Sequence, residues 1–207
     1  MKIKKELILV NLISLIIFVL ILIEVLSNGL LVNLDLFLNS WNVTKNIFLV
    51  DISKIIDLVF DSWSIIIISL FLSIFLCFKY SKKEGAFFSL VILLNAALIY
   101  LIKEIVQRAR PQNALIPGSN FAFPSGHTAT AVAFFGLLIY LILRKAKSKK
   151  IKVASIWISI LIVLLIGFTR LYLNLHWLTD VLGGLALGIF ILTCCIILKN
   201  ILIEVKN

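Results

Sequence analysis

The chain has 207 residues, of which 62% are hydrophobic and only 14% are charged, and its formal net charge at pH 7 is +10. Soluble domains carry about 25% charged residues, so this composition excludes an ordinary water-soluble protein and indicates a chain whose main solvent is the bilayer. The basic excess does not indicate nucleic-acid binding, because most of the basic residues lie in the loops and tails beside apolar segments.

Six apolar windows are each close to the ~20 residues that a membrane-spanning helix needs. They lie near residues 7–26, 62–78, 86–105, 126–143, 153–169 and 177–198. The period-two alternation of a membrane barrel is absent, so we predict an all-α polytopic protein with six transmembrane helices. The first window is too long for a signal peptide and lacks an Ala-x-Ala site, so we expect it to be retained as a helix. Residues 1–207 then form a single membrane-embedded domain.

The basic residues predict the orientation of the helices. Of the 20 Lys and Arg, 14 lie in the two tails and in the loops at 79–85 and 144–152, all on one side of a six-helix topology. The positive-inside rule assigns that side, with both termini, to the cytoplasm. The connection at about 28–61 is then external, and its interleaved apolar and polar residues are typical of pieces lying on the membrane surface. It is either a plain connector, which we favour, or a lid over a lipid site.

The first group of ionisable residues lies at the outer end of the third predicted helix. A charge at a helix centre in the bilayer costs about 2.5–3.5 kcal/mol, so the placement of charges is informative. Lys103 and Arg110 are seven residues apart, or two helical turns, and are predicted to share a face that suits an anion. Arg108 is rotated away from both, and we expect it to face solvent or lipid head groups. The alternative for this group is ordinary snorkelling at a helix end.

The second group is the sequence Pro124-Ser125-Gly126-His127, which is predicted to begin the fourth helix. A helix N-terminus leaves backbone N–H groups unpaired and is a ready site for phosphate. Gly126 allows a ligand to approach the backbone closely, and Ser125 can cap the helix or donate a hydrogen bond. His127 then lies in the first turn, beside the anion. The alternative is a plain serine cap with an incidental interfacial histidine.

The third group joins the fifth and sixth predicted helices. Arg170 ends one helix, and His176 begins the next with Asp180 four residues later, so that the carboxylate can reach the imidazole. Such a pair orients a nucleophilic or basic histidine, although a buried structural pair is the alternative. The chain has only two histidines, and both fall in these groups. We therefore expect the three groups to converge on one site.

Two further expectations concern the same region. Gly184 lies four residues past Asp180, and its small-xxx-small spacing with Gly188 predicts close contact of the last helix with a neighbour. No cluster of carboxylates suits Mg²⁺, so we expect neither a metal nor another cofactor, and the cations must stabilise any phosphate.

Taken in order, Lys103-x6-Arg110-Pro111, Pro124-Ser125-Gly126-His127 and Thr169-Arg170-x5-His176-x3-Asp180 resemble the three signatures of the type 2 phosphatidic acid phosphatase family. The motifs cover residues 103–180, and the six-helix plan extends the resemblance over the whole chain. Thr169 stands where the family usually has serine, and the hydroxyl is retained.

The resemblance implies a metal-independent phosphatase that acts on lipid phosphates. In it, His176 attacks phosphorus to form a phosphohistidine while Asp180 holds its ring, and His127 protonates the leaving oxygen and then helps to activate water. The phosphoryl oxygens are bound by Lys103, Arg110, Ser125, Gly126 and Arg170.

The candidate substrates are undecaprenyl diphosphate, phosphatidylglycerophosphate, phosphatidate and diacylglycerol diphosphate, and an outward-facing site mildly favours the first. A lipid phosphotransferase that uses the same residues is an alternative. A lipid or anion transporter is disfavoured because the charges gather at one face rather than at mid-membrane. Small size and the distribution of the family indicate a bacterial plasma membrane, and the sequence does not specify an oligomeric state.

Overall fold

The protein was analysed as a computed structural model that describes residues 5–40, 45–118 and 121–204. These residues form eight α-helices and no strand, which confirms the all-α class. The helices are α1 (Lys5–Ser27), α2 (Leu30–Ser40), α3 (Ile47–Val59), α4 (Ser62–Lys79), α5 (Lys82–Val106), α6 (Gly126–Lys145), α7 (Lys149–Tyr172) and α8 (Leu178–Glu204). Each of the six apolar windows lies within one long helix, except that residue 177 precedes α8, and most of the helices extend a few residues beyond their windows.

Five of these helices, α1, α5, α6, α7 and α8, are long and apolar enough to cross a membrane. A sixth span results if α3 and α4 are counted together, since they are joined at a bend of 41°. The chain is therefore a multi-pass membrane protein with five or six candidate spans. The first four and last three residues lie outside the described ranges, so the predicted cytoplasmic location of both termini stays a prediction.

Helix α8 lies at the centre of the bundle, where it packs against α1 and α6. A methyl group on Gly184 would lie 2.6 Å from the carbonyl oxygen of Ser125, and one on Gly188 would lie 2.8 Å from that of Ala129. The predicted close contact of this helix is therefore present, and its partner is the start of α6. The backbone N–H of Ser125 also donates to the carbonyl of Asp180 at 2.9 Å, which joins the second and third motifs directly.

The two ends of the bundle differ in their charge. At one end Glu84 pairs with Arg144 at 3.0 Å and with Lys199 at 2.7 Å, which brings together the basic loops at 79–85 and 144–152 and the end of α8. The motif residues lie at the opposite end.

Helices α2 and α3 occupy the predicted external connection and lie over the motif end of the bundle. Helix α2 contacts α8, and α3 contacts α7. Asn46 caps α3, its side chain accepting from the N–H of Phe48 at 2.9 Å. The ammonium of Lys45 donates to the carbonyl of Tyr172 at 2.5 Å and to Asn174 at 2.7 Å. The beginning of α3 is thus fastened to the end of α7.

Candidate active site

A cavity of about 350 Å³ opens at the motif end of the bundle. Each of the three sequence motifs contributes to its lining, and aromatic and aliphatic side chains of α4 and α5 complete it. The lining residues are Asp61, Trp63, Ile66, Ala96, Ile99, Tyr100, Lys103, Arg110, Gly126, His127, Thr130 and His176. The structure therefore brings together five of the eight predicted site residues around one space.

The first motif reaches this cavity by a different route from the predicted one. Helix α5 ends at Val106, and Gln107 adopts a left-handed conformation with φ 48° and ψ 36°, which terminates a helix. Arg110 therefore lies beyond the helix, and the prediction that it shares a helical face with Lys103 was wrong. Both side chains nevertheless line the cavity. Lys103 donates to the carbonyl oxygens of Phe121 and, at 3.4 Å, Ala122.

Arg108 is also placed differently from the prediction that it faces solvent or head groups. Its guanidinium donates to Asp180 at 2.6 Å and to Asp35 at 2.7 Å, and its side chain is only 12% exposed. The prediction was wrong because it used helical rotation for a residue that lies past the helix end. It also missed Asp35, a buried carboxylate that additionally accepts from the backbone N–H of Thr179 at 3.0 Å. The signal available in the sequence was a lone aspartate inside the apolar stretch 30–38.

His176 lies between α7 and α8 and is held by Asp180. The ring Nδ1 is 3.3 Å from Oδ2 of Asp180, which also accepts from the backbone N–H of Trp177 at 2.9 Å. Burial lowers the pKa of His176 to about 4, against the opposing effect of the Asp180 carboxylate. The imidazole is therefore neutral at neutral pH. Because a carboxylate accepts at Nδ1, the ring proton belongs there and the lone pair belongs at Nε2.

Nε2 of His176 faces the cavity and the cation of the first motif. It lies 3.3 Å from the guanidinium of Arg110, which also donates to the carbonyl of Leu175 at 2.7 Å. The lone pair of this neutral nitrogen accepts from Arg110 in the empty site. A phosphoryl oxygen that takes over the guanidinium would free the lone pair for attack on phosphorus.

The second motif is divided between the cavity and the protein interior. Gly126 begins α6, and with His127 it lines the cavity. Ser125 occupies the N-cap position but makes no side-chain capping bond. It is fully buried, and its hydroxyl lies 3.0 Å from that of Thr128. Ser125 is thus not among the lining residues, whereas the amide end of α6 and His127 are available to a ligand.

Arg170 is buried and does not line the cavity. Its guanidinium forms an ion pair with Asp57 of α3, and it lies 3.4 Å from the hydroxyl of Thr169. Thr169 itself donates to the carbonyl of Ile166 at 2.8 Å, so its hydroxyl is already engaged within α7.

Two carboxylates from the external connection face the second histidine. Nε2 of His127 is 3.4 Å from Asp57 and 3.3 Å from Asp61, but neither contact has hydrogen-bonding geometry and this buried nitrogen has no hydrogen-bond partner. Sequence reasoning did not assign these residues to the site. Their i, i+4 spacing at the end of the external connection was the available signal.

Within the described ranges, no group of three or more His, Cys, Asp or Glu side chains is arranged to hold a metal ion. The carboxylates of the site instead form ion pairs with arginines or cap a helix. Asp61, for example, accepts from the backbone N–H of Trp63 at 3.0 Å and so caps α4.

The fold and the site define a class: a polytopic helical membrane protein with a cavity at one end of its bundle that is lined by cationic side chains and by the histidine of a His–Asp pair. The model of the PAP2 superfamily matches residues 84–203, more than half of the chain, so the protein belongs to this superfamily. This confirms the resemblance that the three motifs carry.

Curated relatives with similar sequences are named as lipid phosphatases. Phosphatidylglycerophosphatase B of Bacillus subtilis is 36% identical over 118 residues, which cover 55% of this chain and 58% of the relative. Lipid phosphate phosphatase delta of Arabidopsis thaliana is 27% identical over 67% of this chain and 37% of its own length. Lipid A 1-phosphatase of Rhizobium etli is 32% identical over 53% and 47%, respectively. The chain thus spans about half the length, or less, of the curated relatives it matches.

Solved structures share the fold over most of the chain. The crystal structure of a transmembrane PAP2-type phosphatidylglycerolphosphate phosphatase from Bacillus subtilis superposes with a TM-score of 0.81, covering 90% of this chain and 96% of that one at 24% identity. Aquifex aeolicus LpxE superposes with a TM-score of 0.58 over 81% and 94% at 27% identity.

Proposed function

We propose that this chain hydrolyses the phosphate monoester or diphosphate of a membrane lipid, without a metal, through a phosphohistidine on His176. The observation that carries the proposal is the neutral His176, which Asp180 orients so that Nε2 faces a cavity lined by Lys103 and Arg110. The names of the curated relatives support the same class of reaction.

In the first step, the lone pair of His176 Nε2 attacks phosphorus, a P–N bond forms and the P–O bond to the lipid breaks. Asp180 accepts the hydrogen bond from Nδ1–H and stabilises the positive charge that develops on the ring. His127, across the cavity, donates its proton to the leaving lipid oxygen.

In the second step, water attacks the phosphorus and the P–N bond breaks. His127, now neutral, accepts the proton of this water, which returns it to its starting state. Inorganic phosphate leaves, and His176 is again neutral. The bonds and protons balance over the cycle with no further reactant.

Charge on the transferred phosphoryl group is stabilised by fixed positive groups, which is the main requirement of phosphoryl transfer. Lys103, Arg110 and Gly126 line the cavity, and Arg170 is paired with Asp57. The hydroxyl of Ser125 is directed towards Thr128, so we expect it to support the N-terminal turn of α6 and to bind phosphate only if that turn shifts.

The lipid and the orientation complete the proposal. The name of the Bacillus subtilis relative supports phosphatidylglycerophosphate as a candidate substrate beside undecaprenyl diphosphate.

Because the basic loops gather at the end opposite the cavity, we propose that the site faces outward from a bacterial plasma membrane. This orientation is tested on intact cells with a membrane-impermeant thiol reagent and two variants, Asp51→Cys and Lys147→Cys, each carrying a single cysteine. Only Asp51→Cys should react.

Activity is tested by phosphate release from the purified protein in detergent with EDTA. The four candidate lipids are compared by kcat/KM, with His176→Ala and the surface variant Asp51→Asn measured beside the wild type. We expect release by wild type and Asp51→Asn and none by His176→Ala. No release from any lipid contradicts the hydrolase, and a phosphorylated acceptor found instead indicates the phosphotransferase.

The covalent step is tested separately by trapping. With a lipid labelled in its phosphate, wild type quenched rapidly in alkali should carry an acid-labile, base-stable phosphoryl group, because the intermediate forms before water attacks it. His176→Ala should not be labelled. Label that persists in His176→Ala contradicts the assignment of the nucleophile.

A further inference from the structure

Asp57 holds a position that the proposed reaction does not use. It lies in the last turns of α3, and its Oδ1 atom pairs with the guanidinium of Arg170 while lying 3.4 Å from Nε2 of His127. One carboxylate oxygen thus contacts both a buried cation and a histidine that lines the cavity.

The groups around Asp57 are only partly satisfied. Nε of Arg170 and Nε2 of His127 are buried and have no hydrogen-bond partner. Buried polar groups are normally paired, so unpaired ones at a cavity indicate room for a ligand that supplies acceptors. A carboxylate has two oxygens, whereas a phosphate has up to four. A phosphate can therefore accept from more of the unpaired nitrogens at once.

The same contact separates Arg170 from the cavity. Lys103, Arg110 and His127 line the space, but Arg170 is absent from its lining among the described residues and is paired with Asp57 instead. If phosphate is to contact Lys103, Arg110 and Arg170 together, Asp57 must leave Arg170. The start of α3 is fastened to α7 through Lys45, so rotation of the Asp57 side chain is the smallest movement that allows this.

We propose that Asp57 is a specificity-determining residue that acts as an internal competitor for phosphate. Its carboxylate occupies the Arg170 end of the phosphate subsite when the site is empty, and the phosphate of a membrane lipid displaces it. This rests on the proposed function of the cavity. A lipid substrate is held near the site by its tails, and that remote binding energy supports the displacement. Inorganic phosphate has no tail, so it competes poorly with Asp57 and the product leaves.

The test is equilibrium binding of inorganic phosphate, which needs no turnover. The full-length protein in detergent is titrated with phosphate at fixed ionic strength, and the dissociation constant is obtained from the shift of the unfolding midpoint. We expect Asp57→Asn to bind phosphate about tenfold or more tightly than the wild type, the size expected for removing a like charge within about 4 Å. Asp57→Ser serves as a second variant if Asp57→Asn folds poorly.

Asp51→Asn is the matched control. It removes the same charge from the same helix, but Asp51 is 62% exposed and pairs with Lys54 at the surface at 3.7 Å. Its affinity for phosphate should stay within about twofold of the wild type. Arg170→Gln should abolish the gain when combined with Asp57→Asn.

Three results overturn the proposal: unchanged affinity in Asp57→Asn, weaker affinity in Asp57→Asn, and no phosphate binding by any variant. An unchanged affinity with a lower kcat on lipid would make Asp57 a positioning residue for His127 instead. If Asp57→Asn binds phosphate more tightly but the wild type hydrolyses no lipid, the competition by Asp57 is supported and the proposed function is refuted. Failure of one proposal is therefore distinguishable from failure of the other.

Discussion

Arg108 connects two buried carboxylates, so its removal should destabilise the protein strongly. Asp35 and Asp180 are both almost fully buried, and Arg108 donates to each of them. The change Arg108→Gln removes the positive charge and leaves two carboxylates facing each other without it. Asp180 keeps the N–H of Trp177, and Asp35 keeps that of Thr179, so both keep hydrogen bonds but lose the guanidinium that pairs with them.

Removing one partner of a buried ion pair costs about 3–5 kcal/mol of folding free energy, because an uncompensated charge stays in the interior. For a protein of 150–250 residues each kcal/mol lowers the melting temperature by about 2–4 °C, so Arg108→Gln should lower it by about 6–20 °C. Adding Asp35→Asn removes one of the stranded charges. The double variant should therefore be more stable than the sum of the two single losses predicts.

The assay is the melting temperature of the purified protein in detergent, measured for the two single variants, the double variant and a control. Arg144→Gln is the control, since Arg144 pairs with Glu84 at the other end of the bundle and Glu84 retains Lys199. It should cost no more than about 1 kcal/mol. If Arg108→Gln melts as Arg144→Gln does, the carboxylates do not need Arg108 and the reasoning is refuted.

Three other predictions follow from the site. Asp180→Asn should lower kcat for lipid hydrolysis by roughly 10³–10⁴ because the His176 ring loses the carboxylate that orients it; a loss below tenfold in the phosphate-release assay contradicts this role. Gly184→Ala should cost about 1–3 kcal/mol, read as a lower melting temperature, because its methyl meets the Ser125 carbonyl at 2.6 Å; Gly167→Ala, which meets only a valine methyl at 3.0 Å, should cost less. The pKa of His176, about 4 when folded against about 6.5 when unfolded, means that the unfolded state binds the proton more tightly. Stability should therefore fall as the pH is lowered from about 6.5 to 4, by up to about 3 kcal/mol, and His176→Gln should lack this part of the loss; identical pH profiles of the melting temperature contradict the shift.

The long helices and the local motifs could be predicted from the sequence because each is encoded within one stretch of chain. Apolar runs of about 20 residues specify α1, α5 and α6 directly. The pairing of His176 with Asp180 was predicted from a spacing of one helical turn, and the structure shows that pair. His176 does not begin the last helix as predicted, however, because α8 begins at Leu178. The span formed by α3 and α4 is harder to predict from the sequence. The two helices count as one candidate span only when they are taken together across the bend between them.

The contacts between distant stretches could not be predicted in this way. Asp35 reaches Arg108 from 73 residues away, and Asp57 reaches Arg170 from 113 residues away. No periodicity relates such positions, because the relation is set by how α2 and α3 pack over the end of the bundle. The error on Arg108 had a local cause as well, since the left-handed turn at Gln107 ends the helix on which its rotation was counted.

Apart from His127, the charged side chains of the site are balanced in the empty protein. In the described part of the chain, four cations of the site meet four carboxylates: Lys103, Arg108, Arg110 and Arg170 against Asp35, Asp57, Asp61 and Asp180. Such a set is tolerated beside a bilayer because most of its members are paired.

A phosphate adds up to two negative charges and disturbs this balance, so a carboxylate has to yield. Asp35 and Asp180 are held by Arg108 and are no more than 1% exposed. Asp57 and Asp61 are 23% and 38% exposed and can turn towards water, but of these two only Asp57 forms an ion pair with Arg170. If the proposed function holds, binding of the lipid phosphate is an exchange of one anion for another at Arg170, and the reverse exchange releases the product.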